Sequence, residues 1–267
     1  MRKDIVSVQK AFLSKQVVKV ITGLDNLNVN DVIDKVKAAE IAKATYVDIA
    51  AHPDLVLLVK SITCIPVCVS SINPRDLYQC VLAGADMVEI GNFDTFYSKN
   101  IIFSHNQIIN IAQETKYLLN KINICVTIPH YLLLEQQVKL ARNLKRIGIN
   151  YIQTEGFMAK SHILYRENSA MFKFINKSSS ALSSCYAIAN SVDISIIAAS
   201  GMNSISAPVA ISYGASGVAL GSVLNNLKGI DEISSYIQEI IESIYHYRKN
   251  TYNKIHSKKY NLSIIRS

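Results

Sequence analysis

No apolar run in this chain approaches the roughly eighteen residues that a membrane-spanning helix needs, so a transmembrane segment is not expected. The opening residues, MRKDIVSVQKAF, have no apolar centre and include an acidic residue, unlike a secretory signal. The expectation is a soluble protein that stays where it is made. The five cysteines (Cys64, Cys68, Cys80, Cys125, Cys185) form no CxxC pair and mostly sit within apolar runs. They read as small buried hydrophobes in a reducing compartment, with no structural metal site. No proline-, glycine- or serine-rich stretch divides the chain, which argues for one domain. The turn after the first predicted strand reads TGLDN and lacks the GxGxxG of a dinucleotide-binding sheet, which argues against an open doubly wound fold.

What is present is a core-rich composition, 49% hydrophobic and 18% charged over 267 residues. The net charge of +8 raises nucleic acid as a partner, but the cations are spread along many predicted helices. The only dense group is Arg248, Lys249, Lys254, Lys258, Lys259 and Arg266. No aromatic stacking ladder accompanies it, so residues 248–267 read as a solvated, partly mobile tail after a domain of residues 1–247.

Eight short apolar segments punctuate the domain at intervals of about thirty residues: Val17 to Thr22, Tyr46 to Ala50, Pro66 to Ser70, Met87 to Ile90, Ile124 to Ile128, Tyr151 to Thr154, Ile196 to Ala199 and Val218 to Leu220. Each is followed by a segment with helical spacing, several opened by cap signals: Asn30, Asn73-Pro74, and a capping box from Ser104 to Gln107. Residues 5–14 predict a short helix that plugs the bottom. This repeat predicts a single α/β domain, an eightfold (β/α)8 or TIM barrel. The longest connection, Glu155 to about Ser180, follows the sixth strand and reads as a lid over residues 156–180.

Side chains alternate across a strand, so every second residue points into such a barrel. Lys19, Asp48 and Glu89 are single charges inside apolar strands, and burial against the helical layer would be costly, so they are expected inside as catalytic candidates. Asp48 or Glu89 would move a proton, and Lys19 would be an imine-forming amine or, beside two carboxylates, a fixed cation. Ser70, Thr127, Gln153 and Glu155 fall in phase as substrate-binding candidates. The last two strands end in glycine turns, Ser200-Gly201 and Gly221-Ser222, each followed by a helical segment. Glycine lets backbone N–H groups approach an anion closely, and the turns after strands seven and eight of a β/α barrel form a phosphate site. His52, His130 and Arg75 follow strands and are weaker candidates, and Cys68 reads as packing.

The strings VKVITGLDN, YVDIAAHPDLV, VCVSSINP, DMVEIGNFD, YIQTEG and AASGMNSISAPVAISYGASGVALGS together resemble the hypothetical chloroplast open reading frame 23 family of algal plastids and cyanobacteria. The resemblance covers most of the chain and implies an aldolase-type barrel of the plastid stroma, with no established reaction. The last third is more distantly similar to the ribulose-phosphate-binding barrels, which implies phosphate at Gly201, Gly221 and Ser222. The expected function is that of an enzyme on a small phosphorylated metabolite, an isomerase, lyase or condensing synthase. The alternatives are a barrel oxidoreductase with flavin mononucleotide (FMN) at the same turns, and a non-catalytic metabolite-sensing protein.

Overall fold

Parallel strands covered on both faces must be apolar almost throughout, and the first strand, VVKVI, is buried at every residue but the last. The computed structural model describes residues 3–91, 93–97, 99–156 and 170–264. In chain order these form α1 (Lys3–Leu13), β1 (Val17–Ile21), α2 (Val29–Ile41), β2 (Tyr46–Ala50), α3 (Pro53–Ile62), β3 (Val67–Ser71), α4 (Pro74–Leu82), β4 (Met87–Ile90), α5 (Asp94–Tyr97) and α6 (His105–Leu118). There follow β5 (Asn123–Ile128), α7 (Leu134–Ile147), β6 (Tyr151–Thr154), α8 (Ala170–Ala189), β7 (Ser195–Ala199), α9 (Ser206–Ser212), β8 (Gly217–Leu220), a 3-10 turn (Leu224–Asn226) and α10 (Gly229–Ile264).

The strands pair in sequence order, all parallel, and β8 pairs with β1 to close the barrel. Closure leaves no sheet edge exposed. It needs the glycine at 217: opposite Val17 in the register, a Cβ there would lie 2.2 Å from the Val17 carbonyl oxygen. The fold is therefore the TIM barrel that the strand repeat predicts.

Two apolar clusters flank the sheet. Strand residues such as Val18, Val47, Val69 and Val88 point outward against the helices. At the bottom of the barrel Val8 and Phe12 of α1 pack with Val17, Tyr46, Cys68, Met87, Cys125 and Ile197, and the Phe12 ring stacks on Tyr151 at 3.7 Å. The α1 plug thus follows from placing two apolar side chains on one helix face.

Local details differ from expectation in three places. Helix α2 is capped by Asn28, which accepts from the Asp31 amide, not by Asn30. The expected lid is helical over its second half, because α8 already begins at Ala170; residues 157–169 lie outside the described residues. Helix α10 continues through Arg248 to Ile264, so the basic stretch begins within a helix.

Candidate functional site

The register of the strands fixes which polar residues meet inside. Asp48 pairs with Cys68, Ser70 with Glu89, and Thr127 with Gln153, so inward-pointing polar residues from several strands gather above the bottom cluster. Lys19 Nζ lies 2.8 Å from Asp48 Oδ2, 2.5 Å from Glu89 Oε2 and 2.9 Å from Gln153 Oε1. An ammonium has three protons to give, and here each has an acceptor. Ser70 donates to Asp48 at 2.6 Å, while Thr127 Oγ1 and Gln153 Nε2 both donate to Glu89 Oε1 at 2.9 Å.

The electrostatics of this layer follow from burial and charge. Burial by itself pulls the Lys19 pKa down, but the Asp48 and Glu89 carboxylates outweigh it and raise the value. A lysine held protonated with every proton donated suits a fixed cation; imine formation would need it to lose one. Burial raises the Glu89 carboxyl, with Lys19 opposing. The Cys68 and Cys125 thiols are also raised, chiefly by burial, so neither is poised as a thiolate. Below them the buried Tyr46 hydroxyl has no hydrogen-bond partner among the described residues.

Above the layer, at the C-terminal ends of the strands, lies a cavity of about 170 Å³. Its walls are the two glycine turns, Ser200 to Met202 and Gly221 to Val223, together with Gly23, Leu24 and Asp25 from the loop after β1 and Thr95 from α5. Gln153 and Glu155 also line it. At the first turn Ser200 and Gly201 have φ of 74° and 67°. A non-glycine residue in the left-handed region is strained, and such strain concentrates at functional sites. At the second turn a Cβ on Gly221 would meet only ordinary contacts, 3.6 Å from Ile21 Cβ. Asn203 accepts from the amides of Ile205 and Ser206, and Ser206 Oγ accepts from the Asn203 amide, so the first turn of α9 is tied back to the loop.

The sequence-derived candidates therefore fall into two tiers. Lys19, Asp48, Glu89, Ser70 and Thr127 form the buried layer and do not line the cavity; Lys19 and Glu89 are 0% exposed and Asp48 1%. Ser200, Gly201, Gly221, Ser222 and Glu155 line the cavity, and Gln153 belongs to both tiers. Exposed His52, at the N-cap of α3, and exposed Arg75, in the first turn of α4, are absent from the cavity wall. His130 stands beside Glu155: its amide and its Nδ1 are 2.9 Å and 3.0 Å from Glu155 Oε1, which also accepts from the Tyr97 hydroxyl. Tyr131, pushed up to about 12 by burial and by the Glu155 charge, donates to the Phe103 carbonyl. Tyr97 and Thr95, from the short helix α5, and Asp25, from the loop after β1, had no signal in the sequence, since their neighbours are set by the closed barrel.

A larger groove of about 690 Å³ runs between α7 and α8, lined by Leu134, Arg142, Arg146 and Asn190, but it lies on the outer helical layer away from the strand ends. Among the described residues no group of three or more His, Cys, Asp or Glu is placed to hold a metal ion. No described helix is long and apolar enough to cross a membrane.

The family described as a protein of unknown function, DUF561, matches residues 1–250. The uncharacterized protein ycf23 of Antithamnion sp. is 47% identical over 241 residues, covering 88% of this chain and 87% of its own. The ycf23 protein of Porphyra purpurea is 39% identical over 261 residues, 97% of each. Among solved structures, QR15, an aldolase, superposes with a TM-score of 0.58 at 18% identity over 88% of this chain and 96% of its own. The (S)-3-O-geranylgeranylglyceryl phosphate synthase of Thermoplasma acidophilum, in complex with sn-glycerol-1-phosphate, gives 0.61 at 12% identity over 91% and 98%. At such identities the structural likeness bears on the fold alone. The sequence matches go further: the chain belongs to the DUF561 family together with the ycf23 proteins, which algae encode in their plastids.

Proposed function

We propose that this protein is an enzyme acting on a small phosphorylated metabolite, with the phosphate held between Ser200-Gly201 and Gly221-Ser222. The observation that carries the reading is the cavity itself: it is walled by the two glycine turns after β7 and β8, where glycine lets the backbone come close to an anion. Structural neighbours whose names include phosphorylated compounds, such as thiamine phosphate pyrophosphorylase from Pyrococcus furiosus and the synthase complexed with sn-glycerol-1-phosphate, support it by analogy. The volume of about 170 Å³ is below the roughly 300–1,000 Å³ of pockets for drug-sized ligands, which favours a few-carbon phosphate over a flavin. The plastid-encoded relatives support the plastid stroma as its place of action.

Within this reading the two tiers divide the work. The turns bind the phosphate and aim the carbon chain at Gln153 and Glu155. Lys19, Asp48 and Glu89 act from below, holding Gln153 and setting the field under the cavity floor. The reaction class is isomerisation, carbon–carbon cleavage or condensation.

Thermal unfolding with and without sn-glycerol-1-phosphate tests the reading. A ligand at one hundred times its dissociation constant stabilises the native state by about 2.7 kcal/mol. The wild type should melt higher with the ligand, and Gly221→Asp, which puts a negative charge on the wall, should lose the shift while still folding. An equal shift in both would remove the phosphate from these turns.

A further inference from the structure

We infer that Glu155 is the residue that exchanges a proton with the substrate carbon, with Tyr97 and His130 as the positioning residues that aim it. This rests on the phosphorylated-substrate reading above and names the catalytic group within that site. Asp48 and Glu89, the carboxylates that strand patterning puts forward, are sealed beneath the cavity with Lys19 and have no face on it. Glu155, the first residue after β6, lines the cavity.

The hydrogen bonding of Glu155 is one-sided. Its Oε1 accepts from the Tyr97 hydroxyl, from the His130 amide at 2.9 Å and from His130 Nδ1 at 3.0 Å. A carboxylate only accepts, so the tautomer facing it carries the proton on Nδ1. Its Oε2 accepts nothing among the described residues, and the residue, though buried, lines the cavity. A carboxylate gripped by three donors at one oxygen has its plane fixed and its other oxygen left over. In a residue that only tied loops together, both oxygens would be expected to find donors, as both do in Asp48 and Glu89.

The chemistry balances without a co-reactant. Oε2 takes the proton from a hydroxyl-bearing carbon next to a carbonyl, and the electron pair of the broken C–H bond forms the C=C bond while the carbonyl π pair moves onto its oxygen, giving an enediolate. The proton returns to carbon, or exchanges first with solvent.

The test uses dihydroxyacetone phosphate in deuterium oxide, with loss of the carbon-bound proton followed by NMR and binding followed by calorimetry. The wild type should bind the probe and catalyse exchange. Glu155→Gln should bind comparably and exchange about 10²–10⁴-fold more slowly. Glu155→Asp, which keeps the charge but withdraws it, should exchange faster than Glu155→Gln and more slowly than the wild type, and guards against a fold defect in the first variant. Exchange by Glu155→Gln within a few-fold of the wild type, or a wild type that binds without exchanging, overturns the inference and leaves phosphate binding standing. A wild type that does not bind the probe removes the phosphate reading and this inference with it.

Discussion

The buried layer and the cavity above it are built from the same strands a few residues apart, yet they treat polar groups in opposite ways. In the layer every proton of Lys19 is donated and both oxygens of Asp48 and of Glu89 are engaged. In the cavity Glu155 has one oxygen occupied and Ser200 sits at a strained φ of 74°. Saturated groups are held still and shielded from water, whereas groups left with capacity can bind or react. Height along the barrel axis separates scaffold electrostatics from candidate chemistry.

The contrast is broken most directly at Lys19. Lys19→Met leaves two buried carboxylates without their cation, and breaking a buried pair from one side costs about 3–5 kcal/mol. Urea unfolding should show a loss of that size, and a variant as stable as the wild type would mean that the layer is wet. Ligand binding in whatever protein remains folded should be affected less than by Gly221→Asp, which acts on the cavity wall.

A second, smaller effect separates the tiers by pH. Burial raises the Glu89 carboxyl above its ordinary 4.5. Between 4.5 and the raised value the folded protein keeps a proton that the unfolded chain has released, so this group makes stability fall as pH rises through that window. Lys19, whose pKa is raised, contributes stability that is complete below 10.5 and lost only above it, so it adds no slope there. Glu89→Gln should therefore flatten the profile of melting temperature against pH from 4.5 upward. An unchanged profile would assign the slope to other groups.

The smallest effect belongs to the cavity rim. Ser200→Gly relieves a left-handed serine, worth about 1 kcal/mol or more, against the roughly 0.5–1 kcal/mol that glycine costs in chain entropy. The net gain should be about 0.5 kcal/mol by urea unfolding. It should come with weaker sn-glycerol-1-phosphate binding if the strained turn is shaped for the anion. A destabilised variant would show that the serine side chain, not the backbone, holds the turn.

Much of this was legible in the sequence because strand alternation and glycine turns are local. The period of two put Lys19, Asp48, Glu89, Thr127 and Gln153 on one face, and the network binds them together. The glycine turns at 201 and 221 were readable for the same reason. The same pattern was silent on depth, so Lys19, a catalytic candidate by its position in the strand, lies a layer below the cavity and does not line it. Asn28 caps α2 in place of Asn30 because either asparagine satisfies the local signal and only the backbone geometry decides between them.

By itself, then, the sequence determined the eightfold strand-and-helix repeat from which the barrel was expected, the inward set of polar residues and the paired glycine turns, since each depends on neighbours within a few positions along the chain. Only the tertiary structure decided which inward residues reach open space, and that Tyr97 and His130 converge on one oxygen of Glu155. Those facts depend on how far each strand is staggered around the closed sheet and where its loops land, and no local pattern of side chains encodes that distance.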